Sequence, residues 1–382
     1  MFPAALRLAA VAALAPAALV AAEPVPHVAP SRPGTAAANP GPAVSSHQAR
    51  LPATRFAGQD FVALRDIAEL LGMKAAWVES TRRLTLADPS GRLELTAGSR
   101  EVALNGLRLF LGSPTVQRSG ALYVSQTDFE RSLLPRLRPA LLGSPPARPR
   151  IVVLDPGHGG VDHGMENKPL GLQEKILTLD VAQRLKKLLA ARGFTVVLTR
   201  EEDRQLGPDK QTDFLKRADI TNRAKADLFV SIHFNSLYPD TRTSGTETYA
   251  FTPQFQRSTR AWSPGATDDV ERDLAPVNRF DPWSALLAQS MHHEVIATLK
   301  TFDRGQKTMH SAVLRGLNCP AVLVESVFLS NEAEAKRAAT PAYRQQMAEA
   351  LADGIRVYIE TLEKLQPKAA LPPAAPAPSS QP

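Results

Sequence analysis

The strongest constraint on the fold is an alternation of short apolar runs with longer amphipathic segments in the C-terminal half of the chain. The apolar runs lack polar alternation, which is typical of strands covered on both faces of a sheet. Strands are predicted over 151–154, 195–199, 228–234 and 321–328. Helical periodicity predicts helices over 173–192, 212–226, 285–299 and 342–362. The predicted fold class is therefore α/β, with a mostly parallel sheet flanked by helices on both faces.

The preceding segment, 52–138, has shorter apolar runs and predicts a small α+β domain. A strand followed by a helix is predicted twice, over 61–71 and over 122–134. Between these units, Asn105-Gly106 predicts a tight hairpin turn, because both residue types tolerate positive φ angles. This segment contains no cluster of His, Asp or Glu at catalytic spacing. We therefore expect an accessory domain that precedes the domain carrying the chemistry.

The 32 prolines of the chain cluster outside the periodic segments and mark the expected domain boundaries. Composition rich in Ala and Pro predicts a flexible linker over 23–51, a second linker over 139–149 and a disordered tail over 366–382. These breaks leave two globular blocks, the small domain at 52–138 and a larger domain at 150–365.

The N-terminus has the pattern of a signal peptide over 1–22. Arg7 precedes an Ala/Leu/Val run over 8–20, and the small residues Ala21 and Ala22 offer a cleavage site. A retained membrane anchor is the alternative, although the run is shorter than the ~20 residues that a span needs. No later stretch is long and apolar enough to cross a bilayer. The expectation is an exported protein of the periplasm or cell envelope, with no stable transmembrane segment after signal cleavage.

Cysteine content and charge narrow the classes of protein to which the chain can belong. The single cysteine, Cys319, excludes an internal disulfide, and its place before an apolar strand indicates a buried structural thiol. The net charge of +7 is compatible with an anionic envelope polymer as a partner. No nucleic-acid partner is expected, because the chain has no run of five basic residues and no interleaving of basic with aromatic residues.

Four candidate site residues fall where a parallel sheet would bring them together. Sites in open α/β sheets form at the carboxyl ends of strands. His158 follows the first predicted strand, His233 lies near the end of the third, and Glu174 lies in the first turn of the first helix. Each of these three also has a simple structural explanation. Glu325 differs, because a carboxylate within an apolar strand costs free energy unless a cation or a metal lies nearby.

Together the four side chains are a coherent set for metal-assisted hydrolysis. Two imidazoles and one carboxylate are a common ligand set of catalytic zinc, and they leave a coordination position for water. Other divalent metals accept the same donors, but nitrogen and oxygen ligation combined with amide chemistry favours zinc. The fourth group, a carboxylate, is suited to act as a general base.

Five stretches of the larger domain resemble the type 3 N-acetylmuramoyl-L-alanine amidase family, and they occur in the family's order. They read IVVLDPGHGGVDHG, EKILTLDVAQRLKKLLAARGFTVVLTREED, KRADITNRAKADLFVSIHFNS, SGTETYAF and GLNCPAVLVESVFLSNEAEAKR. The resemblance implies that His158, Glu174 and His233 bind Zn²⁺ and that Glu325 is the catalytic glutamate. One position departs from the family pattern, because Val327 stands where the family usually has glycine.

The resemblance also implies the reaction, which is hydrolysis of the amide between N-acetylmuramic acid and L-alanine in peptidoglycan. Glu325 would take a proton from the attacking water and return it to the leaving amine. Two alternatives share the same candidate residues: another zinc-dependent wall peptidase, and a non-catalytic peptidoglycan-binding protein. Peptidoglycan is the expected partner in each case, and an intact set of ligands disfavours the non-catalytic alternative.

The small domain resembles the copper amine oxidase N-terminal-like domain through the stretches FVALRDIAELLGMKAAWV, VALNG and ALYVSQTDFE. In that family the domain is an accessory unit that need not bind copper. Two roles are possible for this domain. It either binds wall polymer or a protein partner, or it has a purely structural role.

An insertion over 253–282 lies between a predicted strand and a predicted helix. A loop of this length is often functional. Some relatives use a segment at this place to occlude the zinc until an activator protein removes it. Glu271 is therefore a possible regulatory residue that fills the open metal position, and a variable surface loop is the alternative.

Polar residues near the motifs are expected to have supporting roles. Arg315 is a candidate for pairing with a substrate carboxylate, and His292 and His293 are predicted to be surface residues of a helix. Structural or ligand-orienting roles are expected for Asp155, Asp162, His163, Arg217 and Asn222.

Overall fold

The computed structural model describes residues 51–78, 82–259 and 270–366. The predicted signal peptide, the linker up to residue 50 and the tail from residue 367 lie outside the described residues. Within the described part of the chain, no helix combines the length and the hydropathy that crossing a bilayer requires.

The N-terminal domain consists mainly of short strands. Its strands are β1 (Ala53–Phe56), β2 (Gln59–Ala63), β3 (Lys74–Val78), β4 (Arg83–Asp88), β5 (Gly91–Thr96), β6 (Glu101–Leu104), β7 (Leu107–Phe110), β8 (Val116–Arg118) and β9 (Ala121–Ser125). Its helices are α1 (Leu64–Leu71), α2 (Gln126–Asp128) and α3 (Leu134–Leu137), with a π-helical turn over Phe129–Leu133 and a 3₁₀ helix over Pro139–Leu142. Asn105 and Gly106 have φ angles of +52° and +82°, so the predicted turn joins β6 to β7.

The C-terminal domain alternates strands with longer helices. Its strands are β10 (Ile151–Pro156), β11 (Glu166–Asn167), β12 (Leu172–Gln173), β13 (Thr195–Leu198), β14 (Leu228–Asn235), β15 (Thr246–Phe251), β16 (Asp303–Met309) and β17 (Ala321–Phe328). Its helices are α4 (Glu174–Ala191), α5 (Lys210–Arg223), α6 (Asp281–Leu299), α7 (Ala312–Arg315), α8 (Glu332–Ala339) and α9 (Pro341–Leu365), with 3₁₀ helices over Lys168–Leu170 and Pro276–Phe280.

One twisted sheet connects the two domains. Among the described residues it has eleven strands in the order β13-β10-β14-β17-β15-β16-β7-β6-β5-β4-β3. The strands β13, β10, β14 and β17 are parallel, as predicted, whereas β15 runs antiparallel to β17 and β16 runs parallel to β15. The N-terminal domain adds a smaller sheet in the order β1-β2-β9-β8.

Helices cover both faces of the parallel strands. Successive residues of a strand point to opposite faces, and here each face is buried in a different core. Val152, Leu154 and Val230 lie in a core that includes residues of α4, α6 and α9. Val153 and Phe229 lie in a second core with residues of α5 and α7. The predicted α/β class with helices on both faces is therefore confirmed.

The junction between the domains is a pair of parallel strands, β7 and β16, with Leu109 opposite Gln306. Gln306 is fully buried, and its side chain accepts a hydrogen bond from Arg136 Nε at 3.0 Å and donates one to Gln289 Oε1 at 2.8 Å. Arg108 adds backbone and guanidinium hydrogen bonds to Asp303. The apolar pattern did not predict β16, because the strand reads DRGQKTM and its buried members are mostly polar or glycine.

We expect the two domains to unfold together, because they share one sheet through β7 and β16 and residues of both lie in one hydrophobic core. Variants that keep either Trp77, on β3, or Trp283, on α6, as the single tryptophan report on the N-terminal and the C-terminal domain, respectively. In each variant, the fluorescence midpoint in urea should coincide with the midpoint of the far-UV circular dichroism within about 0.2 M. Two separated midpoints would show that the shared sheet does not couple the domains.

Candidate metal centre and cleft

The loop after β10 presents His158 in a constrained backbone conformation. His158 has a φ angle of +62°, which is uncommon for a residue other than glycine and is often found at functional sites. Gly157 precedes it, and a Cβ atom at that position would lie 2.2 Å from His233 Cε1, so only glycine fits there. Two guanidinium groups fix the loop: Arg200 donates to the Gly157 carbonyl at 2.8 Å and Arg217 to the His158 carbonyl at 2.7 Å.

Glu174, the first residue of α4, lies between the two histidines. Its side chain is almost fully buried. One carboxylate oxygen is 2.9 Å from His233 Nδ1 and accepts a hydrogen bond from the Phe234 amide. The other is 3.2 Å from His158 Nε2 and accepts a hydrogen bond from the Met165 amide. The helix start thus holds one carboxylate against both imidazoles.

His158, Glu174 and His233 offer one donor atom each, and these atoms lie within 4.8 Å of one another. The two imidazole rings meet edge to face, with centroids 5.0 Å apart. Within the part of the chain that the structure describes, no other group of three or more such side chains is close enough to hold an ion. The structure therefore brings together the three residues that the sequence singled out as ligands.

The protonation of each residue in this triad depends on the charge of its neighbours. Burial disfavours protonation of His158, but hydrogen bonds to Asp162 and Glu174 outweigh it and raise the pKa of His158 to about 10. Burial likewise opposes ionisation of Glu174, yet the two imidazoles hold the pKa of its carboxyl below the ordinary range. Since metal ligation needs neutral imidazole, binding of a cation here would release a proton.

Glu325 lies beside the triad in the sheet. In β17 it is the register partner of His233 in β14, and both residues line the same cleft. Residues directly opposite each other on neighbouring strands share a face of the sheet. Glu325 therefore joins the three candidate ligands in one site, as the sequence predicted.

A second buried carboxylate, Glu247 in β15, is opposite Glu325 on the other side. Burial alone would raise the pKa of Glu247, but Lys307, Tyr249 and Arg304 hold it below the ordinary range. Its oxygens accept hydrogen bonds at 2.7 Å from Lys307 and 2.8 Å from Asn235. Sequence reasoning overlooked Glu247, because its neighbours in β15 are the polar residues Thr246 and Thr248, which do not indicate a buried strand as the apolar residues of β17 do.

Beneath the loop lies a buried ion-pair network centred on Arg217 of α5. Its guanidinium donates to Asp155 Oδ1 at 2.7 Å, to Asp213 Oδ2 at 2.5 Å and to the Pro156 carbonyl at 2.9 Å. Burial raises and Arg217 lowers the pKa of Asp155, and the net effect is a lowered pKa. The predicted structural role of Arg217 is thus confirmed, and the network ties α5 to β10 and to the His158 loop.

Three other polar residues near the motifs, Asp162, His163 and Asn222, have different partners. Asp162 Oδ2 is 3.0 Å from His158 Nδ1, so it orients that ring as proposed. His163 instead pairs with Glu166, 2.9 Å away, on the adjacent hairpin. Asn222 has a structural role, because it bonds the Gly316 carbonyl and the Asn318 amide near α7.

The prediction for the two histidines of α6 is half wrong. His293 has an exposed side chain, as expected. His292 is fully buried, with Nδ1 3.0 Å from Thr248 Oγ1 and Nε2 2.8 Å from Asp303 Oδ1. The reason is that α6 is packed on most sides between β15 and α9, so it has little surface on which His292 could be exposed.

Glu271 and Arg315 form an ion pair with each other. Glu271 is almost fully buried, and its carboxylate accepts a hydrogen bond from the Arg315 guanidinium, which also stacks over Phe251 at 5.2 Å. Glu271 is not a member of the metal-binding group. The expectation that Glu271 fills the open metal position is therefore not met in this structure, because Arg315 satisfies its charge. The contact of Arg315 with a substrate carboxylate stays a prediction.

Two single-residue predictions concern the last strand. Cys319 is buried just before β17, as expected, and burial raises the pKa of its thiol. Val327 is fully buried in the main core and does not have a positive φ angle. Its backbone therefore does not require the glycine that the resembling family usually has, and its side chain fills core volume.

A cleft of about 620 Å³ contains the metal-binding triad and Glu325. Gly164, Leu323 and two residues of α5, Lys210 and Phe214, also line it. Its lining further includes the segment that leads from β16 into α7: Met309, His310, Ser311, Ala312 and Val313. An open groove of this kind suits a segment of a polymer better than an enclosed small molecule.

Replacing Arg217 with methionine should lower the free energy of unfolding by about 3–5 kcal/mol, because Asp155 and Asp213 would remain buried without their cation. The matched control is Arg223→Met on the same helix, where the pair with Asp219 is exposed and the expected cost is below about 1 kcal/mol. Urea denaturation measures both. Equal losses in the two variants would contradict a special role of the buried network.

Comparison with known proteins agrees with this geometry. Residues 152–357, more than half of the chain, match the sequence profile described as N-acetylmuramoyl-L-alanine amidase. Residues 46–133 match the profile of the copper amine oxidase N-terminal domain.

Individual relatives match through the C-terminal domain. The chain is 34% identical over 212 residues to an uncharacterized cell wall amidase of Bacillus anthracis, covering 55% of this chain and 36% of the relative. It is 30% identical over 222 residues to the germination-specific N-acetylmuramoyl-L-alanine amidase of Bacillus subtilis, covering 56% of this chain and 81% of the relative. A crystal structure of the N-acetylmuramoyl-L-alanine amidase from Clostridium difficile has 29% identity and a TM-score of 0.45, covering 56% of this chain and 99% of that one. Because the profile match covers more than half of the chain, the chain belongs to the N-acetylmuramoyl-L-alanine amidase family.

Proposed function

We propose that this protein is a zinc-dependent N-acetylmuramoyl-L-alanine amidase that hydrolyses the amide between N-acetylmuramic acid and L-alanine in peptidoglycan. The observation that carries the proposal is the convergence of His158, Glu174 and His233 beside Glu325 in one open cleft. Membership of the amidase family supports the assignment of the scissile bond.

The three candidate ligands fit a divalent cation by the chemistry of their donors. Two imidazole nitrogens and one carboxylate oxygen are the ligands of many hydrolytic zinc sites. His158, Glu174 and His233 would hold the ion, and Asp162 would fix the tautomer of His158 by accepting a hydrogen bond from its Nδ1–H group. When bound, zinc supplies Lewis acidity that polarises the amide carbonyl and acidifies water.

Glu325 is proposed to move the proton in the reaction. Its carboxylate would accept a proton from the attacking water and donate it to the amine of the leaving L-alanine, so that one group serves as base and then as acid. Its place opposite His233 puts it beside the ligands rather than among them. The scissile amide would have to lie in the part of the cleft next to Glu325.

The site and the N-terminal sequence together suggest where the protein works. Peptidoglycan lies outside the cytoplasmic membrane, and the signal-like pattern over 1–22 would direct export to the periplasm or cell envelope. Cell-wall remodelling, in daughter-cell separation or in lysis, would follow from cleavage of this bond. An activator protein remains a prediction.

The decisive experiment is digestion of purified peptidoglycan by the full chain, with and without a chelator, followed by identification of the released ends. New L-alanine amino groups on intact glycan strands support the amidase reaction, and their loss with chelator and return with Zn²⁺ support the metal. New amino groups on other residues would identify a peptidase, and no new ends would disfavour catalysis altogether.

Replacing Glu325 with glutamine should lower kcat on peptidoglycan by about 10²–10⁴-fold, because the amide cannot accept the proton. Zinc content, measured by elemental analysis, should stay at the wild-type level since no ligand is altered. The control Glu332→Gln changes an exposed carboxylate that pairs with Lys336 and should retain activity. Full activity of the Glu325 variant would overturn the assignment.

Gly157→Ala should weaken zinc binding by about 10–100-fold, because the new Cβ would displace the His233 ring. Titration with Zn²⁺ against a competing chelator measures the change. Gly316→Ala is the matched control, since its Cβ would meet Ala218 at an ordinary 3.4 Å. Unchanged affinity in the Gly157 variant would mean that His233 is not a ligand.

A further inference from the structure

The insertion after β15 has an ordered base, which we call the insertion stem and define as residues 253–259 and 270–274. Its two sides pair with each other. Arg257 and Val270 form an isolated antiparallel bridge, and the Glu271 amide donates to the Gln256 carbonyl at 2.9 Å. Whatever holds one side of the stem therefore also positions the other.

The N-terminal domain holds the first side through a buried contact. Gln256 is 2% exposed, and its Nε2 donates to Asp128 Oδ1 at 2.9 Å. Asp128 is 1% exposed and also accepts the amides of Gly112 and Ser113. A Cβ atom at Gly112 would lie 2.8 Å from Gln256 Cδ, so the two domains meet here at a distance that only glycine permits.

A second hydrogen bond from the same domain reinforces this contact. Arg100 donates to the Leu111 carbonyl at 2.8 Å and to the Ser258 carbonyl at 3.1 Å. One guanidinium thus joins the N-terminal domain to the stem two residues beyond Gln256.

The second side of the stem holds the wall of the cleft. Glu271 carries the ion pair with Arg315, the last residue of α7. Ala312 and Val313 of the same short helix line the cleft. On the first side, Thr259 Oγ1 accepts the Thr308 amide at 2.6 Å, next to the cleft residue Met309.

We propose that the N-terminal domain is a positioning part of the substrate cleft, acting through Asp128, Gln256 and the Glu271–Arg315 pair on the wall formed by α7. Gln256 is a positioning residue and touches no reacting group. The identity of the polymer bound against this wall rests on the proposed amidase function. The coupling itself rests on the buried contacts alone.

This role differs from that of a tethered binding module. A module joined by a flexible linker would contact the catalytic domain through an exposed and wet surface. Here the domains share a sheet, and Gln256 is buried against Asp128 of the other domain, which lies 128 residues away in sequence.

The test compares Gln256→Ala with Gln254→Ala in the full chain. Gln254 is the matched control, because its side-chain amide bonds the Arg272 carbonyl within the stem. Gln254→Ala removes a bond within the stem and leaves the contact with the N-terminal domain intact. Hydrogen exchange in peptides covering α7 should therefore become about 10-fold faster for the Gln256 variant only. On peptidoglycan its KM should rise about 3–10-fold with kcat within about twofold, since the reacting groups are untouched. Zinc content should not change.

A second variant reaches the same contact from the other domain. Gly112→Ala should reproduce the exchange and KM changes, because its Cβ would push Gln256 away, whereas Gly91→Ala in the same domain meets Asn105 at 3.4 Å and serves as its control. In the double variant Gln256→Ala, Glu271→Gln, the increase in log KM should be smaller than the sum of the increases in the two single variants. The reason is that both substitutions break the same connection between the N-terminal domain and α7.

The proposal is overturned if Gln256→Ala and Gln254→Ala have equal exchange rates in α7, or if the two glycine variants behave alike. The exchange measurement needs no substrate. A wild-type chain without activity on peptidoglycan would therefore refute the proposed function, while the exchange rates would still decide the coupling.

Discussion

The buried guanidinium of Arg217 is the group on which the geometry of the cleft depends. A cation removed from water is stabilised only when anions and carbonyls surround it, and Arg217 satisfies this with Asp155, Asp213 and two carbonyls of the His158 loop. The same contacts hold a backbone that would otherwise leave its left-handed conformation at His158. The position of the first imidazole is thus set by electrostatics in α5 and β10 rather than by the loop alone.

Three acidic side chains lie close together in this region, and two of them are stabilised by different kinds of partner. Glu174 lies between two imidazoles, and Glu247 is held by Arg304 and Lys307. Glu325 lies between His233 and Glu247 in the sheet register. The register thus places Glu325 next to a candidate ligand on one side and next to an ion-paired carboxylate on the other.

Sequence patterns predicted the parts of the fold that local chemistry decides. The apolar strands β10, β14 and β17 and the turn at Asn105-Gly106 follow from residue type and spacing, and so does the meeting of four polar residues at strand and helix ends. The partners of the buried polar groups could not be predicted from these patterns. Gln306 and His292 are buried because Arg136, Gln289 and Asp303 satisfy them from elsewhere in the chain, and Glu271 is paired by Arg315, which is remote in sequence.

The polar sequence of β16 explains why the domains are joined rather than tethered. An edge strand with unpaired amides and carbonyls favours association with other chains, and β16 would be such an edge of the C-terminal sheet if β7 were absent. Charged residues on β16 are a common protection for an exposed edge, yet here Asp303 bonds Arg108 of the next strand and Gln306 is fully buried. These side chains therefore contact a partner strand and do not protect an exposed edge. The N-terminal domain completes a sheet whose edge the C-terminal domain leaves unpaired.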